Sequence, residues 1–170
     1  MPTPSFTVAV DANVLINLIH IRRLDFLARL APYEFVVPQD VLAEVSQEAE
    51  RRELETALAA GFARIEHIVD LGDLTRYAEL RRRLGRGESA CLTLAERHGW
   101  AIASDEKRRF RREALSRLGP GRLVTTPGLL VLAIRSGLLT VEEADQDKEV
   151  LENHRFRMTF KSFHDVVGTP

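Results

Sequence analysis

Residues 6–18, FTVAVDANVLINL, carry the reading on which the rest depends. The first five are short, nearly all apolar, and bounded by a proline-containing start and by Asp11. Such a run reads as a strand buried on both faces, the kind found in parallel sheets covered by helices. Val14, Leu15, Leu18 and Ile19 then recur at helical spacing. An acid at the junction of a buried strand and a helix sits where open α/β sheets bind their ligands.

Moving outward, the same alternation repeats. Leu24, Leu27 and Ala28 continue into a second short helix that ends near Pro32, and residues 35–37 form another strand closed by Pro38. A helix opens near Gln39 or Asp40 with Val41, Val45 and Ala49 on one face, and runs or restarts through Leu58 to Gly61. A strand is expected over 62–69, helices over 74–84 and 88–98, a strand over 100–104, a helix over 105–118 and a strand over 123–126. Helices over 127–136 and 140–154 follow, the first with proline in its opening turn. In the tail, Phe156, Met158 and Phe160 alternate as an extended piece, with a short helix expected near Thr159. The alternation predicts a three-layer α/β domain with a mainly parallel sheet, a core over 6–139 and a helical extension over 140–170.

Composition narrows the function classes. The 170 residues suit one globular domain, and a formal net charge of -1 removes a uniformly basic molecule. Nucleic-acid contact would have to come from local patches. One cysteine, Cys91, makes neither an internal disulfide nor a cysteine zinc site, and no apolar run has the length of a membrane span. The start lacks a basic-then-apolar signal, so the expected compartment is the cytoplasm.

Four acids stand out. Asp11 and Asp105 each follow an apolar strand, where either one also fits a helix N-cap. Glu88 heads an apolar stripe with Cys91, Leu92 and Ala95, which turns its carboxylate toward the core side of the helix. A favourable interaction with the helix N-terminus does not explain that inward placement, because a partly buried carboxylate needs a cation or donors beside it. Glu44 lies at the margin of an apolar face and taken alone reads as an ordinary surface glutamate. Brought together, four carboxylates repel one another unless a cation screens them, and hard oxygen donors suit Mg²⁺ or Mn²⁺. A metal so held activates water and stabilises charge on a phosphoryl group, which points to phosphodiester hydrolysis.

The segments VDANVLINL (10–18), PQDVLAEV (38–45), GRGESACLTLAE (85–96) and ASDEKRRF (103–110) together resemble the PIN domain family, from residue 8 to about 139. The GRGESA segment resembles its toxin-like bacterial and archaeal branch. The resemblance implies a Rossmann-like α/β/α fold and a Mg²⁺- or Mn²⁺-dependent endoribonuclease. It maps the family's acids onto Asp11, Glu44, Glu88 and Asp105, with Asp11, Glu88 and Asp105 as metal ligands. Asn13 matches the residue that orients the first acid, and Ser104 the small polar residue before the last. It further implies an RNA substrate, a homodimer and a small antitoxin partner. Two positions depart from the pattern: Ala12 replaces a common threonine or serine, and Glu106 directly follows the last acid while Arg108 occupies the place of a later one.

Basic runs flank two of the acids: Arg81, Arg82, Arg83 and Arg86 before Glu88, then Lys107, Arg108, Arg109, Arg111 and Arg112 after Asp105. Arg86, Lys107, Arg108 and Arg109 are the candidates for phosphate contact, against a solvated helix face or, for Arg109, a pair with Asp105 one turn away. A haloacid-dehalogenase-type phosphatase needs a second aspartate two residues after the first, where this chain has Asn13. A catalytically idle interaction module is the remaining alternative.

Overall fold

Five strands form one sheet: β1 (Phe6–Val10), β2 (Tyr33–Pro38), β3 (Arg64–Glu66), β4 (Ala101–Ala103) and β5 (Leu123–Val124). The computed structural model describes residues 5–168. The strand order is β3-β2-β1-β4-β5, and every pairing is parallel. Val8 stands in register with Phe35 on one side and Ala101 on the other. A parallel sheet needs cover on both faces, and β1 shows why: Val8, Ala9 and Val10 are all buried.

The helices are α1 (Ala12–His20), α2 (Phe26–Arg29), α3 (Gln39–Glu44), α4 (Glu48–Ala59), α5 (Leu71–Leu80), α6 (Arg86–His98), α7 (Arg109–Leu118), α8 (Thr126–Arg135) and α9 (Val141–Asn153). Helix α6 is the spine of one layer. It lies against β1, β2 and β4, flanked by α3, α5 and α7. Its residues 90–92, 94 and 95 are buried apolar side chains, so it meets the sheet on one face and its neighbours on the others. Helix α1 packs with α4, α8 and α9 in the opposite layer. The result is the three-layer α/β/α architecture with a parallel sheet that the alternation predicts.

Several boundaries differ from the expected ones, each for a local reason. Strand β3 covers three residues of the expected eight, because it pairs with β2 alone and carries Arg64 and Glu66 at a sheet edge. Helix α5 begins three residues early, where Asp70 accepts hydrogen bonds from the amides of Gly72 and Asp73 at 2.9 and 3.2 Å. The helix after Pro38 ends at Glu44 and restarts at Glu48, which leaves Ala49 exposed rather than on the apolar face. Helix α7 begins at Arg109, four residues late, after Arg108 adopts φ 55°. The expected helix near Thr159 is instead one 3-10 turn at Phe163–Asp165. That turn is held to α9 by Asp145, which accepts from the Ser162 hydroxyl at 2.6 Å and the Phe163 amide at 2.8 Å.

All five strands point the same way, so their carboxyl ends share one edge. Chain direction across the sheet reverses between β1 and β4, since β2 and β3 lie to one side and β5 to the other. Asp11 follows β1 and Ser104 follows β4, at that switch point.

Candidate active site

Asp11 is the N-cap of α1 and is 3 % exposed. Its Oδ1 accepts from the Ala12 amide at 2.9 Å, and its Oδ2 from the Ser104 hydroxyl at 3.0 Å and the Asn13 side-chain amide at 3.4 Å. The capping and site readings therefore describe the same carboxylate. Burial pushes its pKa up to about 7, more than these donors hold it down, and the charges of Glu44 and Glu88 add to the rise.

Glu44, the last residue of α3, reaches across to the start of α6. Its Oε1 accepts from the Gly87 amide at 2.9 Å. A β-carbon on Gly87 would stand 2.5 Å from Glu44 Oε2 and 3.0 Å from Asp11 Oδ1. Two carboxylates from different elements thus close on the same glycine, and only hydrogen at its α-carbon leaves them room. Glu88 bends back to accept from the Gly85 amide at 2.9 Å, which satisfies one of the free donors at the head of α6. Burial raises its pKa, and the charges of Glu106 and Glu44 act in the same direction. The positive end of α6 thus receives two carboxylates, an arrangement the helix dipole favours.

Asp11, Glu44 and Glu88 line one cleft of about 320 Å³ together with Asn13. The fourth acid on its wall is Glu106, not Asp105. Asn13 donates to Glu106 Oε1 at 3.1 Å as well as to Asp11, and accepts from the Asp105 amide at 3.1 Å, so one side chain ties the ends of β1 and β4. The Asp105 carboxylate is committed elsewhere. Oδ1 accepts from the Thr126 amide at 2.7 Å, and Oδ2 accepts from the Thr126 hydroxyl and from Asn17 at 2.9 Å. Burial still raises its pKa against those bonds. The Asp105 carboxylate thus stands off the wall of this cleft, its oxygens engaged by α1 and α8, while its neighbour Glu106 faces the cleft. Nor does Asp105 cap α7, which starts too late for it.

Among the described residues no three histidine, cysteine or carboxylate side chains already stand within ligating reach of one point. The chemistry of the donor set nevertheless fits a hard divalent cation: it is all oxygen, and burial and two neighbouring acids raise the Asp11 pKa, a cost that a cation beside it would relieve. Cys91 offers no alternative chemistry, since full burial drives its thiol pKa upward.

The four cationic candidates divide. Arg86 pairs with Asp40 at 3.2 Å, and Arg109 donates to the Arg83 carbonyl at 3.1 Å instead of pairing with Asp105. Lys107 and Arg108 are exposed and form no ion pair among the described residues. Sequence reading missed Asn17 and Thr126 as the anchors of Asp105. The signal for Asn17 was present, because a polar side chain inside the apolar stripe of α1 must find a partner.

A parallel sheet with acids gathered at its switch point defines an α/β/α protein with a carboxylate-lined cleft. Residues 7–168 match the PIN domain, and the chain belongs to that family. Among solved structures, PAE2754 from Pyrobaculum aerophilum is similar, with a TM-score of 0.51 and 18 % identity over 75 % of this chain and 90 % of that one. VapBC2 from Rickettsia felis, solved bound to a DNA fragment from its promoter, has a TM-score of 0.45 and 17 % identity over 71 % of this chain and 97 % of that one. No curated protein matches the chain.

Proposed function

We propose that this protein is a divalent-metal-dependent endoribonuclease and the toxin of a toxin–antitoxin pair. The observation that carries the reading is the approach of Glu44 and Asp11 to a single glycine at the head of α6, with Glu88 and Glu106 on the same cleft. Membership of the PIN family, whose members are generally nucleases, supports the same chemistry.

Asp11, Glu44, Glu88 and Glu106 would hold Mg²⁺ or Mn²⁺, which when bound lowers the pKa of a water and offsets charge on the phosphoryl group. The remaining work is done by the chain. Ser104 and Asn13 fix Asp11, the Gly87 amide fixes Glu44, and the Gly85 amide fixes Glu88. Asp105 is a positioning residue in this reading. Bound by Thr126 and Asn17, it keeps the loop after β4 against α1 and α8 so that Glu106 faces the cleft. Glu44 and Glu88 each keep one oxygen outside the hydrogen bonds of the described residues, and either is placed to take a proton from an attacking water.

The test is cleavage of single-stranded and hairpin RNA by purified protein in Mn²⁺ or Mg²⁺. Activity should vanish in EDTA and fall by on the order of 10²-fold or more in Asp11→Asn, the scale of losing a group that stabilises the transition state. Undiminished cleavage by that variant would refute the site. Co-purification of a small protein encoded next to this one would support the toxin role, and its absence from the neighbouring genes would count against it.

A further inference from the structure

A second groove adjoins the acid cleft, and nothing in the nuclease chemistry uses it. It encloses about 450 Å³ between the loop after β4, the start of α8 and the tail that follows α9. Glu106 lines both spaces, so the groove lies beside the acid cleft. Beyond Asp105 and Glu106 at the side nearest the acid cleft, its walls are mainly of two kinds of side chain. Lys107, Arg111 and Arg157 are exposed cations, and none forms an ion pair or side-chain hydrogen bond among the described residues. Phe156, Met158 and Phe160 are half-buried, resting on the core with part of their surface left to the groove.

The tail is built to stay in place. Phe163 is fully buried, Asp145 binds two groups of the tail, and the Phe160 ring meets Phe163 edge-on at 4.9 Å between centroids. Anchored aromatic and thioether surface alternating with free positive charge is the chemistry that binds unpaired nucleotides: bases stack on rings and phosphates meet cations. An apolar peptide would leave three cations without partners, and an acidic peptide would leave the rings without use. The volume lies within the roughly 300–1,000 Å³ of small-ligand sites, enough for a nucleotide beside the one at the acids.

We propose that this groove is a subsite for single-stranded RNA, holding a nucleotide that flanks the scissile phosphate. Phe156 and Phe160 supply the stacking surface, and Lys107, Arg111 and Arg157 take the backbone. The inference rests on the nuclease reading for its orientation, but its own readout is binding.

The experiment uses the full chain in EDTA, which removes the metal the proposed cleavage needs, and a fluorescein-labelled 12-nucleotide RNA of mixed sequence followed by anisotropy. The exposed triple variant Lys107→Gln/Arg111→Gln/Arg157→Gln should bind at least tenfold more weakly at low salt. Its plot of log affinity against log salt should be shallower by about 2, from roughly 0.7 per phosphate contact. Phe156→Leu/Phe160→Leu keeps apolar packing without the ring faces. It should keep the salt slope and lose the preference that the wild type shows for this RNA over an abasic strand of equal length. Arg52→Gln on α4, away from both spaces, is the control. Wild-type affinity, slope and base preference in both variants would overturn the proposal and favour a protein occupant. Failure of the wild type to cleave RNA in Mn²⁺ would instead sink the nuclease reading and leave the binding result standing.

Discussion

Asp11 joins two roles that the sequence presents as rivals, helix cap and site acid. Its pKa near 7 has a consequence for stability. A carboxyl raised in the folded state from an unfolded value of about 3.9 contributes stability that is fully present below that value. The contribution is lost as pH rises through about 7. The metal-free protein is expected to melt at a lower temperature at pH 8 than at pH 5, with Asp11→Asn narrowing the gap and Mn²⁺ restoring stability at the higher pH. Thermal melts across pH in EDTA check this, and an equal gap in the variant would count against it. Gly87 is the other decisive residue. A methyl group there meets the end of the Glu44 side chain at 2.5 Å. That side chain is flexible and can swing out, so Gly87→Ala should shift the melting temperature by only a few degrees while cleavage falls by about 10–100-fold, the usual cost of disturbing the groups that orient metal ligands.

At the scale of elements, the loop between β4 and α7 is held by a buried contact, not by helix structure. Thr126, fully buried at the head of α8, gives Asp105 both its amide and its hydroxyl. Thr126→Val removes the hydroxyl at constant shape and leaves a buried carboxylate short of a donor. A stability loss of about 1–3 kcal/mol is expected, measured by urea unfolding, with reduced cleavage because Glu106 loses its fixed place. This loop also marks where the sequence was hardest to read. Strand β1, helix α1 and strand β2 were legible because periodicity and the bounding Asp11 and Pro38 agree. Residues 105–108 contain no glycine or proline, and their charges fit a helix face, so nothing local announces that Arg108 turns to positive φ and delays α7. Asp11 and Glu88 were legible from the strand end and the inward helix stripe, whereas Glu44 read alone as a surface residue and joined them only through the family resemblance. The placement of Glu106 on the cleft wall and of Asp105 behind it was not legible, because it depends on Thr126 and Asn17, partners distant in the chain. The edge strand β3 was overestimated for a related reason: apolar content at 62–69 says nothing about how many neighbours a strand will have.

For the whole molecule, the balance of charge keeps the acid cleft and the basic groove as local features on a nearly neutral body. The structure also leaves apolar surface on one flank: Val69 is 81 % and Leu71 79 % exposed, with Ile65 and Leu74 also open to solvent. Exposed apolar groups this close together in the chain are candidates for burial on association. The homodimer that the family resemblance implies would have this surface to bury. Light scattering should give twice the chain mass, and Val69→Glu/Leu71→Glu should halve it without loss of fold; a wild-type monomer at micromolar concentration would refute it. No helix among the described residues is long and apolar enough to cross a membrane. Asp11 and Glu44 crowd around position 87. A side chain at that point would turn the Glu44 carboxylate away from Asp11 and leave the backbone as it is, so the spacing of the two acids is set by a single hydrogen atom.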